Sequence, residues 1–182
     1  IQGRVGTEKE LIAEYIHFKS GRHHAPLLIV DALQISDQQW DRLFEENTIP
    51  PDGTFYIKNI DCTTPEQHKM LLQWLLDSAP KARLITSWTK TFEHDIQEDS
   101  VLYQLYELCG RLHIRIPDLK ERGEDMIRLA NLLIHECNEK FGKQIVGLRP
   151  EAEQLLRAST WPGNVDQLRR TMYQCVMQTN TA

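Results

Sequence analysis

The chain has 182 residues, a formal net charge of -5, 41% hydrophobic and 26% charged residues. That balance excludes a disordered or membrane-spanning polypeptide and fits one domain, or a domain with a small satellite. No apolar run approaches the roughly 20 residues of a membrane helix, and the negative charge argues against this piece alone gripping DNA or an anionic lipid surface. Cys62, Cys109, Cys137 and Cys175 form no C-x-x-C pair, which fits reduced thiols in the cytoplasm rather than a disulfide framework or a zinc knuckle.

Residues 1–10 read Ile-Gln-Gly-Arg-Val-Gly-Thr-Glu-Lys-Glu. Ile1 and Gln2 look like the end of a strand that begins upstream, so the chain is expected to be an excised piece of a larger protein. Gly3, Gly6 and Lys9 then occupy the places of a phosphate-binding loop, where glycines let backbone N–H groups curl round a phosphate and a lysine reaches the terminal phosphates. Gly3, Arg4, Val5, Gly6, Thr7 and Lys9 are therefore the candidate nucleotide-binding residues. Glu8 stands where the pattern asks for glycine and Glu10 where it asks for serine or threonine. Glu8 would bring a carboxylate beside the N–H nest meant for an anion.

Leu11, Ile12, Tyr15 and Ile16 recur at helical spacing as far as Gly21, and residues 26–30 form an apolar run without alternation, as a parallel strand covered on both faces requires. Ser36 to Gln39 is a capping-box pattern leading into a helix through Trp40, Leu43 and Phe44. Pro50 to Gly53 breaks the chain before a strand over 54–57. Thr64-Pro65-Glu66-Gln67 starts a helix with Met70, Leu71, Trp74 and Leu75 on one face, ending near Pro80. Strands are predicted over 83–87 and 112–116, with a helix through Leu102, Leu105, Tyr106 and Leu108 between them. Strands alternating with helices predict an α/β fold with a parallel sheet. Past Pro117, Met126, Leu129, Ala130, Leu133, Ile134 and Cys137 mark one helix closed by Phe141-Gly142. Further helices open at Pro150 and at Gly163-Asn164. The expected division is an α/β core over 1–118 and a helical unit over 119–182.

The degenerate loop, Gly53-Thr54-Phe55-Tyr56-Ile57, Arg83-Leu84-Ile85, Ile114-Arg115-Ile116-Pro117, Leu119-Lys120-Glu121-Arg122-Gly123-Glu124-Asp125 and Trp161-Pro162-Gly163-Asn164-Val165, in that order, resemble the central AAA+ domain of bacterial enhancer-binding regulators. Those proteins activate transcription with sigma-54. The resemblance spans essentially the whole chain. It implies a three-layer P-loop fold with a parallel five-stranded sheet, a helical lid and nucleotide bound between them. It also implies a cytoplasmic homo-oligomer, RNA polymerase as a partner of the full-length protein, DNA bound through a separate domain outside this chain, and no membrane.

Against that family pattern, Lys58-Asn59 replaces the Asp-Glu pair that positions Mg²⁺ and the attacking water, and neither side chain can do that work. Thr89 takes the place of the sensor asparagine. Leu102 and Leu108 fall where arginine fingers reach the neighbouring subunit, and Asp166 replaces the sensor arginine. With Glu8, these changes predict a domain without ATP hydrolysis and with no catalytic residue to nominate. The G-A-F-T-G-A loop that engages sigma-54 is missing from 32–53, so the domain is expected not to remodel sigma-54 polymerase. The resulting expectation is an oligomerisation and ligand-sensing module, with ATP, ADP or cyclic di-GMP as candidate ligands. The alternatives are a ligand-free scaffold and an ATPase using Arg4, Lys9 and Lys58.

Other features have plainer readings. His23-His24, adjacent and without a third ligand, read as a surface turn rather than a metal site. Arg169-Arg170 could touch a phosphate or DNA backbone, but at helical spacing they read as a solvated face or a subunit contact, and Arg115 and Arg122 read as ion-pair partners of Glu124 and Asp125. Trp40, Trp74, Trp88 and Trp161 read as packing residues, with Trp88 also a candidate filler of an empty nucleotide cleft.

Overall fold

Thr54 to Ile57 are buried on both sides of the strand they form, as a parallel strand between two helical layers must be. The computed structural model describes residues 1–45, 48–78, 81–90 and 100–179. In chain order the elements are α1 (Lys9–Phe18), β1 (Leu27–Asp31), α2 (Asp37–Glu45), β2 (Thr54–Lys58), α3 (Pro65–Ser78), β3 (Arg83–Thr86), α4 (Val101–Cys109), α5 (Gly123–Phe141), α6 (Pro150–Ala158) and α7 (Asn164–Gln178). The helix end expected near Pro80 lies outside the described residues. Between β1 and β2 the described residues hold α2 and a turn in which Gly53 N donates to Pro50 O at 3.1 Å.

The sheet differs from the five full strands expected. Three strands pair in parallel in the order β1-β2-β3, with Leu28 opposite Phe55 and Phe55 opposite Leu84. Two further segments join only through single parallel bridges, Gln2 with Trp88 and Gln2 with Arg115. The Arg115 bridge forms because Gln2 N–H donates to Ile114 O and Gln2 C=O accepts from Ile116 N, each at 2.8 Å, and the Trp88 bridge because Trp88 N donates to Ile1 O at 2.9 Å and Gly3 N to Trp88 O at 3.1 Å. Gly3, hydrogen-bonded to Trp88 O, is where the chain leaves the sheet for the loop. On the other side Leu112 is 90% exposed and Pro117 has no N–H to continue the ladder. The strand predicted over 112–116 thus shrinks to the pairing around Arg115, and five parallel chain segments remain.

Alternation along β2 sends Phe55 and Ile57 into a cluster with Val30, Trp40, Leu71, Trp88 and Leu105, while Tyr56 joins Ile1, Ala13 and Ile85 on the other face. Trp88 therefore belongs to the core. Its ring meets Tyr106 edge-on at 5.9 Å and its Nε1 donates to Thr86 Oγ1 at 2.9 Å. The predicted cap of α3 is present in both directions: Gln67 N donates to Thr64 Oγ1 at 3.2 Å and Thr64 N to Gln67 Oε1 at 3.0 Å.

The contacts divide the chain into two compact units, Ile1–Gly3 with Lys9–Ile116, and Arg4–Glu8 with Pro117–Ala182. The second is built on Met126, Ala130, Leu133, Ile134 and Cys137 of α5 packed with Val165, Leu168, Met172 and Val176 of α7. Trp161 closes that core, with its Nε1 donating to Leu156 O at 2.8 Å. The loop residues 4–8 thus pack with the helical unit, although they lie far from it in sequence.

Candidate nucleotide site

In the α/β unit, Lys9 opens α1 and is 8% exposed, and its Nζ donates to Gly3 O at 2.8 Å. The loop lysine thus bonds to a backbone carbonyl of the loop itself. One residue on, Glu10 Oε2 sits 2.6 Å from Lys58 Nζ. Register places Lys58 opposite Asp31 at the ends of β2 and β1, and Asp31 Oδ2 lies 3.4 Å from the same ammonium. Burial works against the Lys58 charge, but the Glu10 and Asp31 carboxylates outweigh it and hold its pKa above the ordinary lysine value. Asn59, in the left-handed region at φ 54, donates Nδ2 to Asp31 Oδ1 at 3.2 Å.

This arrangement does not fit a metal ion. The two carboxylates that could ligate one are both engaged by a tethered ammonium, which offsets one of their two charges, and among the described residues no group of three or more His, Cys, Asp or Glu is placed to hold a metal. Among the described residues, both of these carboxylates are engaged with Lys58 rather than free to polarise water. Thr89 donates its N–H and hydroxyl to Asp61, a carboxylate 4% exposed, and Lys90 N donates to it as well. Thr89 is therefore turned toward the turn that follows β2. Leu102 packs partly buried against the core and Leu108 is 40% exposed; neither carries charge.

In the helical unit, the loop is tied down by its own backbone. Gly6 has φ 77, and a Cβ there would stand 2.2 Å from Gly163 O, so only glycine fits. Gly6 O accepts from Val165 N at 2.9 Å and from Asp166 N at 3.4 Å. Asn164, 1% exposed, donates Nδ2 to Val5 O at 2.9 Å and accepts from Leu119 N at 2.8 Å. Thr7 Oγ1 donates to Arg4 O at 2.8 Å, and the Arg4 guanidinium lies 3.3 Å from Asp118. Asp166 is exposed near the start of α7.

Glu8 has φ 60, a conformation that costs a non-glycine residue roughly 1–2 kcal/mol. Its Oε1 lies 2.9 Å from Arg169 Nη2, while Arg169 Nη1 reaches Glu136 Oε2 at 3.3 Å. Hydrogen bonding to Glu8 is the main reason the Arg169 pKa lies above its ordinary value. Arg169, read from the sequence as part of a solvated face or a subunit contact, has a side chain 39% exposed and also pairs with a loop carboxylate. Arg122 does pair with Asp125, at 3.9 Å, whereas Glu124 takes Arg157 at 3.0 Å. The rings of His23 and His24 lie 3.6 Å apart, tilted by 46°, in an exposed turn.

Sequence reasoning missed the partner of Arg169, and it missed Glu136, Asp31 and Asp61. For Asp31 a signal existed, because it ends a predicted strand next to the strand that ends at Lys58. The other three reach their partners only through the fold.

Residues 1–119 match the sigma-54 interaction domain and residues 120–182 the AAA+ ATPase lid domain. The chain belongs to the sigma-54 interaction domain family. It is 30% identical over 198 residues to the DNA-binding transcriptional regulator NtrC of Salmonella typhimurium, covering 94% of this chain and 42% of that protein. It is 26% identical to the anaerobic nitric oxide reductase transcription regulator NorR of Aeromonas hydrophila, covering 97% and 40%. NtrX from Brucella abortus has the same fold, with a TM-score of 0.85 at 25% identity over 100% of this chain and 46% of that one. NtrX has also been solved with ATP, at a TM-score of 0.85, 24% identity, and coverage of 97% and 46%. This sigma-54 interaction domain thus spans about two fifths of the length of the regulators it matches. Among its described residues no helix is long and apolar enough to cross a membrane.

Proposed function

We propose that this domain is the non-hydrolysing core of a bacterial transcriptional regulator, serving self-association and signal relay without ATP turnover. The observation that carries this reading is the Lys58 ammonium, fixed between Glu10 and Asp31 where a hydrolytic site needs a metal and a free carboxylate. Lys9 bonded to Gly3 O supports it, because the loop keeps its shape from internal partners. A sensed ligand is then expected away from the loop, with cyclic di-GMP the candidate that the family resemblance supplies. RNA polymerase contact and DNA binding belong to the full-length regulator, and with only α2 and a turn among the described residues between β1 and β2, no remodelling of sigma-54 polymerase is expected.

The reading is tested by phosphate release from ATP with Mg²⁺, comparing wild type with Lys9→Ala. Equal background release is expected, and release that depends on Lys9 overturns it. Titration of cyclic di-GMP into the same protein tests the ligand, and an absence of binding heat removes that candidate.

A further inference from the structure

We propose that the helical unit carries a binding site for one uncharged, hydrophobic small molecule, in the recess bounded by α5, α6, α7 and the connection that joins α5 to α6. The proposal goes beyond the non-hydrolysing reading and does not depend on it.

The recess has a volume of about 890 Å³ and its lining runs from Ile134 to Thr179, so it lies wholly within one unit. Packed interiors hold few voids larger than a water molecule, whereas small-molecule sites run from roughly 300 to 1,000 Å³ with mostly apolar walls. Ile134, Leu156, Trp161, Met172 and Val176 line it, and each is at most 8% exposed. Those side chains therefore sit at the bottom of a recess and not on an open face. A partner helix would reach only the rim, but a ring or a short hydrocarbon enters.

The walls are fixed before any ligand arrives. Asn138 of α5 holds Ile145 in the connection twice, donating Nδ2 to Ile145 O at 2.8 Å and accepting from Ile145 N at 3.1 Å. Lys143 Nζ donates to Thr179 O at 2.8 Å, which ties the same connection to the end of α7. Ile145 and Thr179 both line the recess, so these bonds set the distance between two of its walls. A site formed in advance loses little freedom on binding.

Polar groups in the lining are already used. Trp161 Nε1 donates to Leu156 O, Ser159 Oγ to Leu155 O and Thr179 Oγ1 to Cys175 O, each at 2.8 Å. The two charged residues of the lining, Arg149 and Glu151, have opposite signs and are exposed. A ligand thus meets apolar surface within and no net charge at the mouth. An ion carried inside would be buried without a counter-charge, so the ligand class is an uncharged hydrophobic compound. Trp161 and Met172 suit an aromatic ring.

The probe is N-phenylnaphthylamine, a neutral dye that fluoresces in apolar surroundings, and its sulfonated relative anilinonaphthalene sulfonate is the anionic comparison. The 182-residue chain should bind one neutral dye, at least as tightly as the sulfonate, with its native near-ultraviolet circular dichroism retained. Ala152 also lines the recess, and Ala152→Trp, which fills it, should weaken dye binding by at least about tenfold. Should that variant not fold, alkylation of wild type mapped by mass spectrometry carries the test. The dye should slow modification of Cys175, which is exposed and lines the recess, and leave Cys62, exposed in the other unit, at its original rate. No dye binding, a sulfonate bound more tightly than the neutral dye, or a dye to which Cys175 and Ala152→Trp are both indifferent overturns the proposal. Dye binding that falls as protein concentration rises would mean that a second copy covers the recess, and overturns it as well. Lys9-dependent ATP turnover would overturn the non-hydrolysing reading and leave these comparisons intact.

Discussion

Lys58 Nζ stands 2.6 Å from Glu10 Oε2, which joins the end of β2 to the first turn of α1 through one ion pair. With Asp31 on the other side, the ammonium offsets one of the two charges and lies between carboxylates that would otherwise repel each other. Lys58→Met should leave them facing without a counter-charge and destabilise the α/β unit by about 1–3 kcal/mol, between the values for exposed and buried pairs. Urea unfolding of the two proteins measures the difference, and a variant as stable as wild type contradicts the role given to Lys58.

Gly6 and Gly142 both have positive φ, but only Gly6 is crowded, by Gly163 O at 2.2 Å from an added Cβ. Gly142→Ala should therefore cost about 1 kcal/mol, and Gly6→Ala at least ~3 kcal/mol, because backbone must move as well. Melting temperatures of the two variants decide it, and similar losses would mean the loop is not packed against that segment.

Much of this architecture is legible in the chain itself. The three-and-four spacing from Met126 to Cys137 marks the buried face of α5, and Thr64 with Gln67 forms the cap that starts α3. Both signals are local, so propensity and packing agree over a few residues. The replacements at Glu8 and Lys58 are equally visible, but not what those side chains do. Glu8 meets a partner 161 positions away, and Asp61 meets Thr89 28 positions away. Such pairs depend on how separate elements come together, which no local period encodes. The outer chain segments likewise read as a full strand over 112–116, while the structure keeps only the bridge at Arg115.

Asn164 is buried at φ 46, with its amide joining Val5 O to Leu119 N. Asn164→Ala should destabilise the helical unit by about 2–4 kcal/mol through lost hydrogen bonds and left-handed strain. Asn164→Gly should lose less, because glycine removes the strain while still losing the bonds. Chemical denaturation orders the three proteins, and an alanine variant more stable than the glycine variant would contradict the backbone part of the account.

His68 is 7% exposed, and burial lowers its pKa from the ordinary 6.5, with Nε2 3.0 Å from Ile60 O. The unfolded chain takes up this proton near pH 6.5 and the folded chain only at lower pH, so the unfolded state binds more protons in that window. The His68 contribution to stability is therefore present above pH 6.5 and declines as pH falls below it. A His68→Leu variant should show a shallower loss of melting temperature between neutral and mildly acidic pH, and an unchanged slope would contradict this.

The central claim is that these charged groups are satisfied within their own units: Lys9 by Gly3 and Lys58 by Glu10 and Asp31 in the α/β unit, and Arg169 by Glu8 and Glu136 in the helical unit. The most direct measurement is the melting temperature of wild type with and without ATP and Mg²⁺ at millimolar concentration. A ligand at a hundredfold excess over its Kd would raise the melting temperature of a chain this size by about 5–10 °C. The account predicts no measurable shift. A rise of that size, abolished by Lys9→Ala, would contradict it.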